Sequence, residues 1–159
     1  MPQTLFTLGA FAVIFDVHQR VLLSHRRDMD AWNLPGGGVE SGETPVEAVM
    51  REVTEESGLE VAVDRLVGVY TNARRDDIVF TFVCHVTGGA LQLTEESSEH
   101  RYCTLTQIPR NVTPKHVERI REALKGGDRP IFRRQSGPTT GEWLQHLDEE
   151  ALHSASAED

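Results

Sequence analysis

Apolar residues recur with two different periods along this chain, and the switches between them mark out its elements. The stretch "TLFTLGAFAVIFD", rich in β-branched and aromatic residues, predicts a strand. The polar "DVHQR" predicts a turn, and "VLLSHR" a second strand. No period holds through "RRDMDAWNLPGGGVESGE", where Pro35 and three successive glycines predict a loop. A helical period follows. Val46, Val49, Met50 and Val53 recur at i, i+3, i+4 and i+7 and predict one apolar stripe. Thr44 is placed as N-cap, Pro45 at the first helical position, Glu47 to complete a capping box, and Gly58 to end the helix.

Alternation returns in "VAVDRLVGVYTN" and "DIVFTFVCHV", two further strands; in the second, Phe80, Phe82, Cys84 and Val86 share a face. "GGALQLTEESSE" reads as a loop or short edge and "HRYCTL" as a strand. "TPKHVERIREALKG" predicts a second helix with Val117, Ile120 and Leu124 on one side. This succession predicts an α/β fold, a mixed sheet covered by helices. The 159 residues suffice for one domain with a sizeable core. It is expected over residues 1–136, followed over 137–159 by an acidic segment holding a short helix around Trp143 and Leu147, then a flexible tail.

Charge narrows the partners. The net charge is −9, and the segment from Gly137 onward holds six acids and no Lys or Arg. That balance argues against binding nucleic-acid backbone, which needs a basic face. The basic residues of "TPKHVERIREALKGGDRPIFRR" are interspersed with acids, so they do not supply one. A phosphate-bearing small molecule stays open, because a bound divalent cation reverses the local sign. No apolar run approaches the roughly 18 residues of a membrane span, and the N-terminus lacks a basic leader, so no membrane partner and a cytoplasmic location are expected. Cys84 and Cys103 lack metal-site spacing and read as small core residues in a reducing compartment.

The first helix poses a physical problem. Glu52, Glu55 and Glu56 fall within roughly a 100° arc. They sit near the helix C-terminus, where the macrodipole disfavours anions. Arg51 is the only cation between Thr44 and Gly58, so pairing along the helix is not expected to offset the repulsion. The plain reading is a solvated acidic face. The alternative is that the carboxylates converge on a hard divalent cation, which takes oxygen ligands and bridges to phosphates.

From Gly37 the order is Gly, five residues, Glu43, seven residues, then Arg51-Glu52-Val53-Thr54-Glu55-Glu56-Ser57-Gly58-Leu59. This resembles the Nudix box, and all nine specified positions are satisfied. The resemblance extends upstream through "VLLSHRR" and "WNLPGG" and more weakly downstream through "EHRYCTLTQIP". It implies an α/β/α sandwich with a mixed β-sheet between helices. It implies hydrolysis of a diphosphate bond in a nucleotide or a nucleoside diphosphate linked to another group, by water attack on phosphorus. The implied cofactor is Mg²⁺, with Mn²⁺ as the alternative.

Carried over by position, the resemblance makes Glu52 and Glu56 the leading metal ligands, Glu55 a third, and the Gly36 carbonyl a backbone ligand. Arg51 orients the glutamates, Glu43 braces the loop, and Gly37 makes a turn beside the substrate. The general base is left between a box glutamate and a later loop acid, Glu96 or Glu99. Arg26 and Arg27 are candidates for substrate phosphate, with surface charge as the plainer alternative. Trp32 either stacks on a base or packs under the glycine turn, and His25 and His85 read as ordinary strand histidines. A homodimer stays open, as does a Nudix-fold binding module without catalysis.

Overall fold

The structure, a computed structural model, describes residues 2–157. Among the described residues are eight strands and three α-helices: β1 Thr7–Ile14, β2 Val21–Arg26, β3 Trp32–Asn33, β4 Gly36–Gly38, α1 Pro45–Ser57, β5 Leu59–Asn72, β6 Asp77–Gly89, β7 Ser97–Cys103, α2 Pro114–Lys125, β8 Ile131–Gln135 and α3 Thr140–Ser156. A mixed sheet runs in the order β4-β1-β6-β5-β8, and a smaller antiparallel sheet in the order β3-β2-β7. In the larger sheet β1 pairs parallel with β6, and β5 parallel with β8.

From Ala10 onward β1 packs on both faces, and alternate residues serve opposite sides. Ala10, Ala12 and Ile14 pack with Val49 and Val53 of α1, while Phe11 and Val13 pack with Ile120 and Ala123 of α2. The sheet is thereby held between α1 and α2, the expected α/β/α layering. Cys84 and Cys103 are free, buried thiols in these two clusters, as expected.

The start and end of α1 follow the sequence. Thr44 Oγ1 accepts the Glu47 N–H at 3.2 Å, and the Glu47 carboxylate accepts the Thr44 N–H at 2.8 Å. Such a cap contributes about 1 kcal/mol. Gly58 closes the helix in the left-handed region at φ 78°.

The stripe on α1 is not the one the apolar spacing predicts. Val49 and Val53 are buried, but Val46 and Met50 are each 39% exposed, and Ala48 and Ser57 are buried instead. The helix is rolled by roughly 30° relative to the expected stripe, towards the side that carries Glu52 and Glu56. Three further expectations are corrected. The region expected to be loop contains β3, paired with β2, and β4, paired with β1; at Gly36 the backbone presses against β1 where a side chain would not fit. Strand β8 is unexpected; it adds as a short parallel edge beside β5. The last helix is longer than the short one expected, and none of its residues is buried. The end of the expected flexible tail, Glu158 and Asp159, lies outside the described residues.

Candidate metal and phosphate site

Two glycines set the floor of the site. A Cβ on Gly37 would lie 2.6 Å from the carboxylate carbon of Glu52, so only glycine lets the strand and that acid come together. Gly36 has φ 154°, a Cβ there would lie 2.3 Å from the Ala10 carbonyl oxygen, and its N–H donates to Glu56 Oε2 at 3.3 Å.

The carboxylates divide into two groups. Glu52 and Glu56, one turn apart on the rolled face of α1, meet Glu96 from the loop before β7, with one oxygen from each acid within 4.8 Å of the others. Glu55 is not brought into this group; it is turned outward and accepts from Arg51 Nη1 at 3.2 Å. The expected convergence of three helix acids is therefore corrected to two helix acids and one loop acid. Glu99 stays apart, accepting from Arg101 at 2.9 Å.

Arg51 offsets more repulsion than one cation was expected to. Its Nε and Nη2 hold Glu43 at 3.1 and 2.7 Å, and its Nη1 donates to Glu52 at 3.1 Å and to Glu55. Nη2 also donates to the Gly38 carbonyl at 3.0 Å, which ties β4 to α1. Glu43 in turn accepts the Glu40 N–H at 2.7 Å and braces the loop. Glu56 receives nothing from this fork.

The loop carrying Glu96 is strapped to the end of α1. Thr94 Oγ1 donates to the Glu56 carbonyl at 3.1 Å, and the Gln92 N–H donates to the Ser57 carbonyl at 2.8 Å. Arg27 clamps the other side, through Nε to the Thr94 carbonyl at 2.6 Å and through its N–H to the Glu96 carbonyl at 3.1 Å. Thr94 escaped the sequence reading, because a threonine in a polar loop carries no signal of the helix end it will meet.

Burial raises the proton affinity of the inner acids. Glu56 is pushed up to about 8, chiefly by desolvation, with the charges of Glu52 and Glu96 adding to the effect and the Gly36 N–H and Arg26 opposing it. Glu52 is also raised by burial, against the pull of Arg51. Clustered, desolvated carboxylates hold either protons or a cation. Three oxygen donors of one sign, open to a cleft, fit a hard divalent ion.

That cleft measures about 720 Å³ and is bordered by Arg26, Arg27, Asn33, Gly36, Glu56 and Glu96. Arg26 is held by Asp28 at 2.8 Å through Nε. Asn33 Oδ1 is buried without a protein partner among the described residues, a feature the sequence did not signal. Trp32 is packed, not presented: it is 5% exposed, edge-on to His25 at 5.1 Å and covered by Arg101 at 4.6 Å. His25 is bonded to Ser98 and Asp30, and His85 to Asp64.

The model of the NUDIX domain matches residues 5–125, a span that contains every element of this site. The chain belongs to the Nudix family. A MutT-like protein of Streptomyces ambofaciens is 34% identical to this Nudix chain over 122 residues, covering 77% of this chain and 79% of that protein. A Bacillus subtilis (strain 168) protein, provisionally named an 8-oxo-dGTP diphosphatase, is 32% identical over 123 residues, covering 77% and 83%. The crystal structure of an ADP-ribose pyrophosphatase from Streptococcus suis 89-1591 superposes with a TM-score of 0.65 at 25% identity, covering 81% of this chain and 98% of that one.

Proposed function

We propose that this Nudix chain is a pyrophosphohydrolase that cleaves a diphosphate bond in a nucleotide or nucleotide-linked molecule, with Mg²⁺ as its ion. The single observation that carries this reading is the meeting of Glu52, Glu56 and Glu96 within 4.8 Å, with Glu56 and Glu96 bordering a cleft that Arg26 and Arg27 also line. A divalent ion bound there would neutralise phosphate charge and acidify water. Glu52 and Glu56 would be its leading ligands, with the Gly36 carbonyl beside them and Glu55 further out. Arg51 positions Glu52 through its planar donor fork. Glu96, exposed and anchored through Thr94, would accept a proton from attacking water. Arg26 and Arg27 line the cleft where substrate phosphates would lie.

Relatives named for 8-oxo-dGTP and ADP-ribose support a nucleotide with a diphosphate linkage as the substrate class. No helix among the described residues is long and apolar enough to cross a membrane. The two buried free thiols agree with a reducing compartment, and we place the protein in the cytoplasm.

The test is a hydrolysis screen with Mg²⁺ across nucleotide sugars, nucleoside triphosphates, ADP-ribose and dinucleoside polyphosphates, with products identified by mass. The reading expects cleavage at a diphosphate for at least one class and none in chelator. Intact metal uptake with no turnover of any member would indicate a binding module.

A further inference from the structure

We propose that a second cavity, on the α2 side of the glycine strand, holds an anionic group, phosphate or carboxylate, that the substrate carries beyond its diphosphate. The proposal rests on the diphosphate reading above and names the substrate class more narrowly. The cavity measures about 330 Å³. Phe11 borders both cavities, and the glycine strand separates them: Gly36 borders the acidic cleft, Gly37 and Gly38 the second cavity.

Its lining inverts the sign of the molecule. Arg75, Lys115 and Arg119 face it against the single carboxylate of Asp77, in a chain of net charge −9. Arg119 is 5% exposed, yet its Nε and Nη2 meet only the neutral Gln135 Oε1, at 3.1 and 2.8 Å. Among the described residues no carboxylate lies within 4.0 Å of it. The neighbouring buried acid, Glu122, is already engaged by the Tyr70 hydroxyl at 2.7 Å and Arg133 Nε at 2.6 Å. A buried cation with no carboxylate in contact, and with Glu118 and Glu122 acting on it only from farther off, is costly, and an anion entering the cavity relieves that cost.

Two further groups await a partner there. Thr113 Oγ1 is buried with no partner among the described residues. His116 Nδ1 accepts the Leu34 N–H at 3.2 Å, which puts the ring proton on Nε2, a donor. Burial and the adjacent cations hold His116 neutral and pull Lys115 down, with Arg119 and Arg75 adding to the latter. A nucleobase fits less well, because the ring faces of Tyr70 and Phe11 already carry the Arg119 guanidinium at 5.1 and 5.7 Å.

Matched substrates test the proposal: ADP-ribose against its 2′-phosphate, and UDP-glucose against UDP-glucuronate. The first pair adds a phosphate, the second a carboxylate. The wild-type protein is expected to favour the charged member of at least one pair by about tenfold or more in kcat/KM, carried by KM. Lys115→Gln and Arg119→Gln should each bring that ratio towards one; Lys115 is the less buried, so its variant keeps the test open if Arg119→Gln misfolds. A wild-type ratio of one or less in both pairs overturns the proposal, as does a ratio untouched in a folded variant. If nothing is hydrolysed, the diphosphate reading fails separately. The same pairs are then compared by calorimetry in chelator, where equal or absent binding of the charged members overturns this proposal and preferential binding upholds it.

Discussion

Glu56 is the residue on which the site turns. It accepts the Gly36 N–H, holds Thr94 through its own carbonyl, and lacks the Arg51 contact that Glu52 and Glu55 receive. Glu56→Gln keeps shape and volume but removes charge from the proposed ion site. Turnover is expected to fall about a hundredfold or more with the melting temperature maintained; wild-type rates would contradict the assignment. Gly37→Ala makes a complementary prediction. Its new methyl would lie 2.6 Å from the Glu52 carboxylate carbon, so the acid must move. A displacement of that order costs roughly a hundredfold in rate, and unchanged kinetics would show that Glu52 needs no such placement.

Glu56 also predicts a pH dependence. Its proton affinity is raised from an ordinary 4.5 to about 8 on folding. Between those values the folded state of the metal-free protein binds the extra proton, so this group's contribution to stability falls as pH rises. In chelator, the melting temperature of the wild type relative to Glu56→Gln is expected to decline from pH 5 to pH 8. Added Mg²⁺ should raise the wild-type value more at pH 8 than at pH 5. Parallel profiles for the two proteins would refute the account.

At the scale of elements, the roll of α1 explains both what was legible and what was not. The caps at Thr44 and Gly58 are local hydrogen-bond and backbone devices, so the sequence displays them directly. The buried face is a compromise with the sheet and the glycine strand. Val46 and Met50 lose burial so that Glu52 and Glu56 turn inward, and apolar spacing alone cannot show that. Likewise Glu52 and Glu56 were legible as candidate ligands from the box, whereas the meeting of Glu96 rather than Glu55 with them depends on the strap from Thr94 and Gln92. Thr94→Val should loosen that strap. We expect a drop of about tenfold in turnover with little change in melting temperature, and an unaltered rate would show that Glu96 is placed by other contacts. Strand β8 is hard to see in the sequence because a short edge strand needs only one partner, and of its two apolar residues Ile131 is half-buried and Phe132 exposed.

For the whole molecule, the two core clusters on either side of the sheet fix α1 and α2 and therefore both cavities. Helix α3 stands outside this economy, tied on by Trp143 to the Arg110 carbonyl at 2.8 Å and by Arg74 to Glu142. A chain ended at Ser136 is expected to fold, bind metal and melt within a few degrees of the full chain; loss of cooperative unfolding would place α3 inside the domain. The layering of the fold was legible because both faces of β1 are apolar and the helical periods are clear. The sign contrast between an acidic cleft and a basic cavity was not, because Arg75, Lys115 and Arg119 come together only in three dimensions.

The most direct test is a calorimetric titration of Mg²⁺ into the wild type and Glu56→Gln, with and without nucleotide. The account predicts saturable uptake by the wild type and at least about tenfold weaker uptake by the variant. No uptake by the wild type under either condition, or equal affinity in the two proteins, would contradict it.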